Sequence, residues 1–284
     1  MKKFINNLPI VSVIITTKNE EGNIQKCIES INKQTYPSLN IEIIVIDNYS
    51  TDKTIQIVKH LTNKLKNLSI KLYSHGNERS AQRNYGAEKA HGKYYLYLDA
   101  DMILSPNVIK ECVLNIKNLH GLYIPEIIQG DSFWNKVRKF ERTFYDKTVI
   151  DCVRFLPLSI LKRVGGFDES LIGPEDWDFD KKIRHSGQVD IIKNPLYHNE
   201  ENFNLLKYLN KKNYYGKSFQ KYIKKWGKND PDVRKQFSPA YRFVWVFLEK
   251  GKWKKLLRHP FLAFSMYFLR IVVGLQFILS SNKE

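Results

Sequence analysis

The chain has 284 residues, 43% of them hydrophobic, which supplies one sizeable core and excludes a disordered chain. Its formal net charge is +17, from 46 Lys and Arg against 29 Asp and Glu, so a polyanion is expected among its partners. Cys27, Cys112 and Cys152 are too few and too scattered for a disulfide framework or a cysteine zinc site and read as structural thiols in a reduced compartment.

In chain order, Asn6, Asn7 and Pro9 break any apolar stretch near the start, and no signal peptide is evident. Ile10 to Thr16 then reads as a strand. Glu21 to Lys33 follows as a helix with Ile24, Cys27, Ile28 and Ile31 at helical spacing, and Ile41 to Asp47 as a second strand. Ser50-Thr51-Asp52 is a cap for a helix through Ile55, Ile57, Val58 and Leu61. A third strand (Ser69 to Tyr73), a third helix (Arg79 to Ala90) and a fourth strand (Tyr94 to Leu98) complete the βα alternation of a parallel sheet. Beyond it the pattern predicts a helix from Pro106 to about Leu119, a strand at Leu122 to Pro125, and a helix presenting Trp134, Val137, Phe140 and Phe144. A break at Gly165-Gly166, a loop entering a helix over Pro174 to His185, and a strand at Gln188 to Lys193 follow. The reading is one α/β catalytic domain, 1–202, with a helical extension, 203–284.

The chemistry is concentrated at YLYLDADMIL, where a buried strand delivers Asp99 and Asp101, either side of Ala100, at its carboxyl end. Carboxylates so spaced can share a hard divalent cation that takes its remaining ligands from a diphosphate; two acids in a solvated loop are the plainer alternative. In GGFDESLIGPEDWDFDKKIRHSG, Glu175, Asp176, Asp178 and Asp180 open a helix whose dipole favours carboxylates, while an acid there could also accept a hydroxyl proton. His198, after a strand, is structural or completes a metal shell.

These segments, with VSVIITTKNEEGNIQKCIESI, IEIIVIDNYSTDKT, RSAQRNYGAEKAHGKYYLYLDADM and YHNE, resemble in order and spacing the family 2 glycosyltransferases of GT-A fold, over about Pro9 to Glu200. The resemblance implies a Rossmann-like, mainly parallel sheet flanked by helices, and a nucleotide-sugar pocket containing Thr16, Lys18, Glu20, Asp47 (at the base), Asn48 and Ser50. Arg83 and Asn84 match the stretch that holds the donor. Asp99 and Ala100 also fall at the nucleotide-sugar, and Asp99 and Asp101 match the metal-binding pair, with Asp101 the more direct ligand and His198 a further one. Asp176 matches the catalytic base, Glu175 its neighbour facing the acceptor, and Trp177 a packing or sugar-stacking residue. Asn48-Tyr49 and Thr17-Lys18 depart from the family's usual two acids with glycine and its aromatics, which touches base, ribose and donor recognition.

The implied activity is inverting transfer of a sugar from a nucleoside-diphosphate sugar, by default a UDP-sugar, to a hydroxyl of a glycan or polyprenyl-linked acceptor, assisted by Mn²⁺ or Mg²⁺. A polyprenyl (dolichyl) phosphate sugar synthase shares the fold and metal motif, but a phosphate acceptor needs no general base. A membrane scaffold without activity leaves the retained acids unexplained, and no nucleic-acid fingerprint supports a nucleic-acid partner.

The basic charge lies late: Leu205 to Pro260 carries 16 Lys or Arg against three acids. Phe203 to Trp226 interleaves Leu205, Leu206, Tyr208, Leu209, Tyr214, Tyr215, Phe219, Tyr222, Ile223 and Trp226 with lysines, as in interfacial helices or in a helix packed on the domain with a solvated lysine face. GKWKKLLRH suits an anionic membrane surface. Phe261 to Leu279 approaches spanning length, but Arg270 at its middle favours an in-plane helix or hairpin. The expected location is the cytoplasmic face of the cell membrane, and oligomeric state is not readable.

Overall fold

The computed structural model describes residues 8–201, 204, 205, 208, 210 and 218–281, with side chains described as far as 275. The body begins with β1 (Val11–Thr17), α1 (Ile24–Asn32), β2 (Ile41–Asp47), α2 (Thr54–Lys64), β3 (Ser69–Ser74), α3 (Arg79–Lys89) and β4 (Tyr94–Asp99). It continues through β5 (Met102–Leu104), α4 (Val108–Asn115), β6 (Gly121–Tyr123), β7 (Glu126–Gln129), α5 (Phe133–Arg142), β8 (Phe155–Pro157), α6 (Leu158–Arg163), α7 (Glu175–Ser186), β9 (Val189–Ile191) and β10 (Leu196–Asn199). The C-terminal part contributes α8 (Phe219–Trp226), α9 (Pro231–Phe237), a π-helical turn at Tyr241–Trp245, α10 (Trp253–Arg258) and α11 (Pro260–Ser281).

Among the described residues the main sheet has seven strands in the order β3-β2-β1-β4-β8-β6-β9. Its first four strands are parallel, and β8 runs antiparallel to both neighbours. Both faces are covered, so β1 and β2 are buried along their whole length, polar Ser12 and Glu42 included. Successive side chains still divide between faces: Val11, Val13 and Ile15 pack with Ile24, Ile28 and Val58 of α1 and α2, whereas Ile14 joins Ile44, Tyr95 and Tyr97 on the α7 side. Helix α3 lies so close to β1 that a Cβ on Gly86 would stand 2.6 Å from Ile14 Cγ2. The three cysteines are buried and unpaired, as expected of structural thiols.

A second sheet of three short strands, β5-β10-β7, stands beside the end of β4, with β10 antiparallel to β5 and parallel to β7. Three or four residues are too few to show a period, so β5, β7 and β8 do not stand out from the sequence. The helix expected over Pro106 to Leu119 is confined to Val108–Asn115, and the strand expected over Leu122 to Pro125 begins at Gly121 and ends at Tyr123.

The boundary expected near Asn202 lies outside the described residues, as do Phe203, Leu206, Leu209, Tyr214 and Tyr215 of the expected aromatic helix. What is described of that helix is turned onto the body. Tyr222 is fully buried with Leu171 and Val233, and Phe219 stacks on Trp177. Lys181 pairs with Asp230, and Arg184 bonds Asp232 at 2.8 Å. Helix α11 packs through Ala263, Met266 and Leu269 on Val137, Phe140 and Phe144, the apolar face of α5 and its continuation. Arg270 is not a lone charge: it bonds Glu141 at 2.5 Å, the Tyr145 hydroxyl, and the Arg242 carbonyl at 2.5 Å.

Candidate active site

Strands β1, β2 and β4 deliver their carboxyl ends to one edge, where parallel α/β sheets place ligands. At that edge Thr16 donates its hydroxyl to Asp99 at 3.0 Å, and the Ala100 amide donates to the Thr16 carbonyl at 3.2 Å. Arg83, wholly buried in α3, donates to Asp99 at 3.0 Å and to Asp176 at 2.7 Å. Its guanidinium is flanked by the rings of Tyr97 and Phe167, 4.5 and 5.1 Å from their centroids, which fixes the plane of the fork. Burial would raise the Asp99 carboxyl, but Arg83 and Arg79 hold it well below the usual carboxylate range.

The turn after Asp99 leads into β5, whose pairing with β10 sets Met102 opposite His198. His198 Nε2 stands 3.0 Å from Asp101, and Nδ1 stands 3.0 Å from Glu126 on β7. Burial would lower the imidazole, and Asp101 and Glu126 overcome it, so the group is pushed up to about 10. Glu126 also faces Arg154 at 3.4 Å and Arg142 at 3.5 Å. The other oxygen of Asp101, Oδ1, is buried without a hydrogen-bond partner.

The expected residues thus fall into groups. Asp99, Asp176, Thr16 and Arg83 form one, and Asp101 and His198 another. Asp176 and Trp177 line the central cavity, with Trp177 held among Phe219, Tyr222 and Phe237. Glu175, expected to face the acceptor, is 2% exposed and bonded to Arg79 at 2.8 Å. Burial raises its carboxyl, against the pull of Arg79. Asn84, expected beside the donor, spends its amide on the Gly165-Gly166 loop, donating to the Phe167 carbonyl at 2.9 Å and accepting from the Phe167 amide at 2.8 Å. Gly166 there has φ 64°, and a Cβ on it would come within 2.6 Å of Asn84 Oδ1.

Asp47 is fully buried and accepts from the Ser50 amide at 2.8 Å and hydroxyl at 2.5 Å, so its visible role is to shape the turn. Asn48 bonds the Asn77 carbonyl at 2.9 Å, Glu20 accepts from Asn23 at 2.7 Å, and Lys18 is exposed. Arg79, Glu126, Arg142 and Arg154 are site residues that sequence reasoning missed. Arg79 lies inside the RSAQRN segment, Arg142 among the charged residues that end α5, and Glu126 and Arg154 are single polar residues in short apolar stretches.

A cavity of about 560 Å³ runs from Asp99, Asp176 and His198 toward the C-terminal helices, reaching Arg242, Leu269 and Val273. Residues 12–167 match the family described as Glycosyl transferase family 2. The chain belongs to that family. Among relatives, AglE of Haloferax volcanii, a glycosyltransferase, is 40% identical over 96 residues, 34% of this chain and 32% of AglE. TarS of Staphylococcus aureus, a poly(ribitol-phosphate) β-N-acetylglucosaminyltransferase, is 32% identical over 110 residues, 39% of this chain and 19% of TarS. The match to these curated relatives therefore spans a third of their length or less. The mannosyltransferase PcManGT of Pyrobaculum calidifontis, solved with GDP-Man and Mn²⁺, has the same fold with a TM-score of 0.65 at 19% identity, over 96% of this chain and 88% of its own. The family 2 chain described here thus has the GT-A architecture, with a helical extension on α5 and α7.

Proposed function

We propose that the protein is an inverting glycosyltransferase that moves a sugar from a nucleoside-diphosphate sugar to an acceptor hydroxyl. The observation that carries the reading is the placement of Asp99, Asp176 and His198 around one cavity at the carboxyl edge of the sheet, with Arg83 bonded to both aspartates and Asp101 to His198. In the reaction the acceptor oxygen bonds to the anomeric carbon as the bond from that carbon to the diphosphate oxygen breaks. The electron pair leaves with the nucleoside diphosphate, and Asp176 takes the acceptor proton. Arg83 orients Asp176 and Asp99 together, so a movement of α3 is felt by both carboxylates. One base and a single displacement give inversion.

Asp101 suits Mn²⁺ or Mg²⁺, because its Oδ1 is a buried acceptor with no protein donor, and His198 would join it only by giving up its Nε2 proton. Among the described residues no three His, Cys, Asp or Glu side chains form a metal group. When bound, such a cation neutralises charge developing on the departing diphosphate. Asp99 is engaged by Thr16 and the arginines, and its part is to position the donor. UDP-sugars are the default donors; PcManGT is described with GDP-Man and TarS with UDP-GlcNAc, which keeps both bases in the panel.

The setting we propose is a membrane surface. Along α11, Phe261, Phe264, Phe268, Ile271 and Leu275 are exposed at spacings of three and four, a stripe whose Phe261 and Phe268 touch Phe133 and Trp134 at the start of α5. Exposed Lys250, Lys254, Lys255 and Arg258 lie just before it, ready for anionic headgroups. Among the described residues no helix is long and apolar enough to cross a membrane.

The test is calorimetric binding and turnover across a nucleotide-sugar panel with Mn²⁺, Mg²⁺ or EDTA. We expect one donor to bind in a metal-dependent way, Asp101→Ala to lose that binding, and Asp176→Asn to keep it while transfer falls. No donor bound under any condition would overturn the transferase reading, and a product of retained configuration would overturn the single displacement.

A further inference from the structure

The cavity continues past the reacting groups into a wall of arginines, four of which have carboxylate partners. Arg138 is matched by Glu200 at 2.5 Å, Arg142 by Asp151 at 2.8 Å, Arg154 by Glu126 at 3.4 Å and Arg270 by Glu141 at 2.5 Å. Arg242, in the π-helical turn, differs. Among the described residues no carboxylate lies within ion-pair reach of it, and its Nη1 is buried without a hydrogen-bond partner. Burial holds this guanidinium below its ordinary pKa, and the like charge of Arg270 adds to the effect against the pull of Tyr145. A charge kept in such a place without a counterion is costly, and an anion brought by a ligand removes the cost.

The surroundings say what kind of anion. Beside Arg242 the cavity is lined by Phe243, Leu269, Val273 and Gly274, and a Cβ added at Gly274 would meet nothing within 4 Å among the described residues, which leave the wall open there. Gly274 sits on the helix whose outer face carries the exposed apolar stripe. One charged position followed by an apolar exit is the layout needed by a phosphate ester at the head of a long alcohol. The charged neighbours of Arg242 are Tyr145, Arg270, Glu141 and Tyr208, whereas Asp176 answers to Arg83. The anion is therefore held in a neighbourhood separate from the base.

We infer that Arg242 anchors a phosphate group of the acceptor, with the acceptor's apolar chain leaving past Phe243, Leu269 and Val273, while a sugar hydroxyl elsewhere on the same molecule faces Asp176. The inference deepens the transferase reading and rests on it for the word acceptor. It makes the phosphate a handle, not the atom glycosylated.

The test uses the full chain and calorimetric titration with dodecyl phosphate, the neutral dodecyl maltoside and inorganic phosphate, each below its aggregation concentration. The wild type is expected to bind dodecyl phosphate at least tenfold more tightly than either other probe, UDP or GDP should not compete, and R242Q should lose the preference. Equal binding of the maltoside would overturn the phosphate site. Equal binding of inorganic phosphate would overturn the apolar exit. Displacement by UDP or GDP would assign Arg242 to the donor and overturn its role with the acceptor. The wild-type comparison stands even if melting curves show R242Q unfolded. Donor titration of the same wild-type sample separates the two ideas: absence of any donor binding sinks the transferase reading, whereas the phosphate preference tests Arg242 alone.

Discussion

Arg83 meets Asp176 through a 2.7 Å hydrogen bond made by a side chain with no exposed surface. The same guanidinium reaches Asp99, so one residue of α3 registers the end of β4 against the start of α7. Lysine keeps the charge but cannot span two carboxylates in a fixed plane. R83K is expected to lower kcat/KM about 100-fold, measured with whichever donor the panel identifies. R83A, which leaves both acids without their partner, should also lose about 3–5 kcal/mol in urea unfolding. Wild-type turnover in R83K would remove Arg83 from the mechanism.

The tie between α11 and the body gives a separable prediction. R270M leaves Glu141 buried and unpaired and should cost about 3–5 kcal/mol, while the double variant R270M/E141L should recover most of it because both charges are gone. Urea unfolding of the two variants reads this directly. Equal loss in both would mean that packing by Met266 and Leu269, not the ion pair, holds the helix.

Membrane attachment can be tested without touching the cavity. Replacing Phe261, Phe264 and Phe268 by serine should reduce co-sedimentation with phosphatidylglycerol vesicles at least tenfold, and raised salt should weaken the wild type through its lysines. Unchanged co-sedimentation of the triple variant would rule out α11 as the contact.

Acid should loosen the extension through Asp168. Burial would raise this carboxyl, but Lys225, at 2.7 Å, and Ser170 hold it down to about 2. A folded-state pKa below the unfolded one means that the contribution is complete above the ordinary aspartate range and is lost as pH falls through about 2. Melting temperatures between pH 5 and 2 should therefore fall more steeply for the wild type than for Asp168→Asn. Parallel curves would show that the contact with α8 contributes nothing.

The parallel half of the fold was legible because its strands are long, apolar and separated by helices with clear faces, as with β1, α1 and β2. The acids at the end of β4 and the start of α7 were legible as a pattern, but their partners were not. Nothing local to Glu126 or Arg154 announces a site, since each acquires its meaning only when strands of three or four residues pair across long sequence separations. Glu175 and Asn84 show the opposite limit. Both sit in informative segments, yet Arg79 engages the first and the Gly166 loop engages the second, and such capture depends on neighbours that spacing does not reveal. Arg270 reads from the sequence as a lone charge opposing a membrane span because its partner, Glu141, lies on a helix far away in the sequence.

The pairing of β10 between β5 and β7 also dictates an order of assembly. Residues 12–167, the stretch shared across the family, hold Asp99, Asp101 and Arg83 but stop short of both Asp176 and His198. A ribosome that has released only that stretch has made a nearly complete sheet without the proposed base, Asp176, or the His198 imidazole. On the proposed reading, Asp176 and His198 therefore join the site only with the part of the chain beyond residue 167, which also carries the exposed apolar stripe of α11.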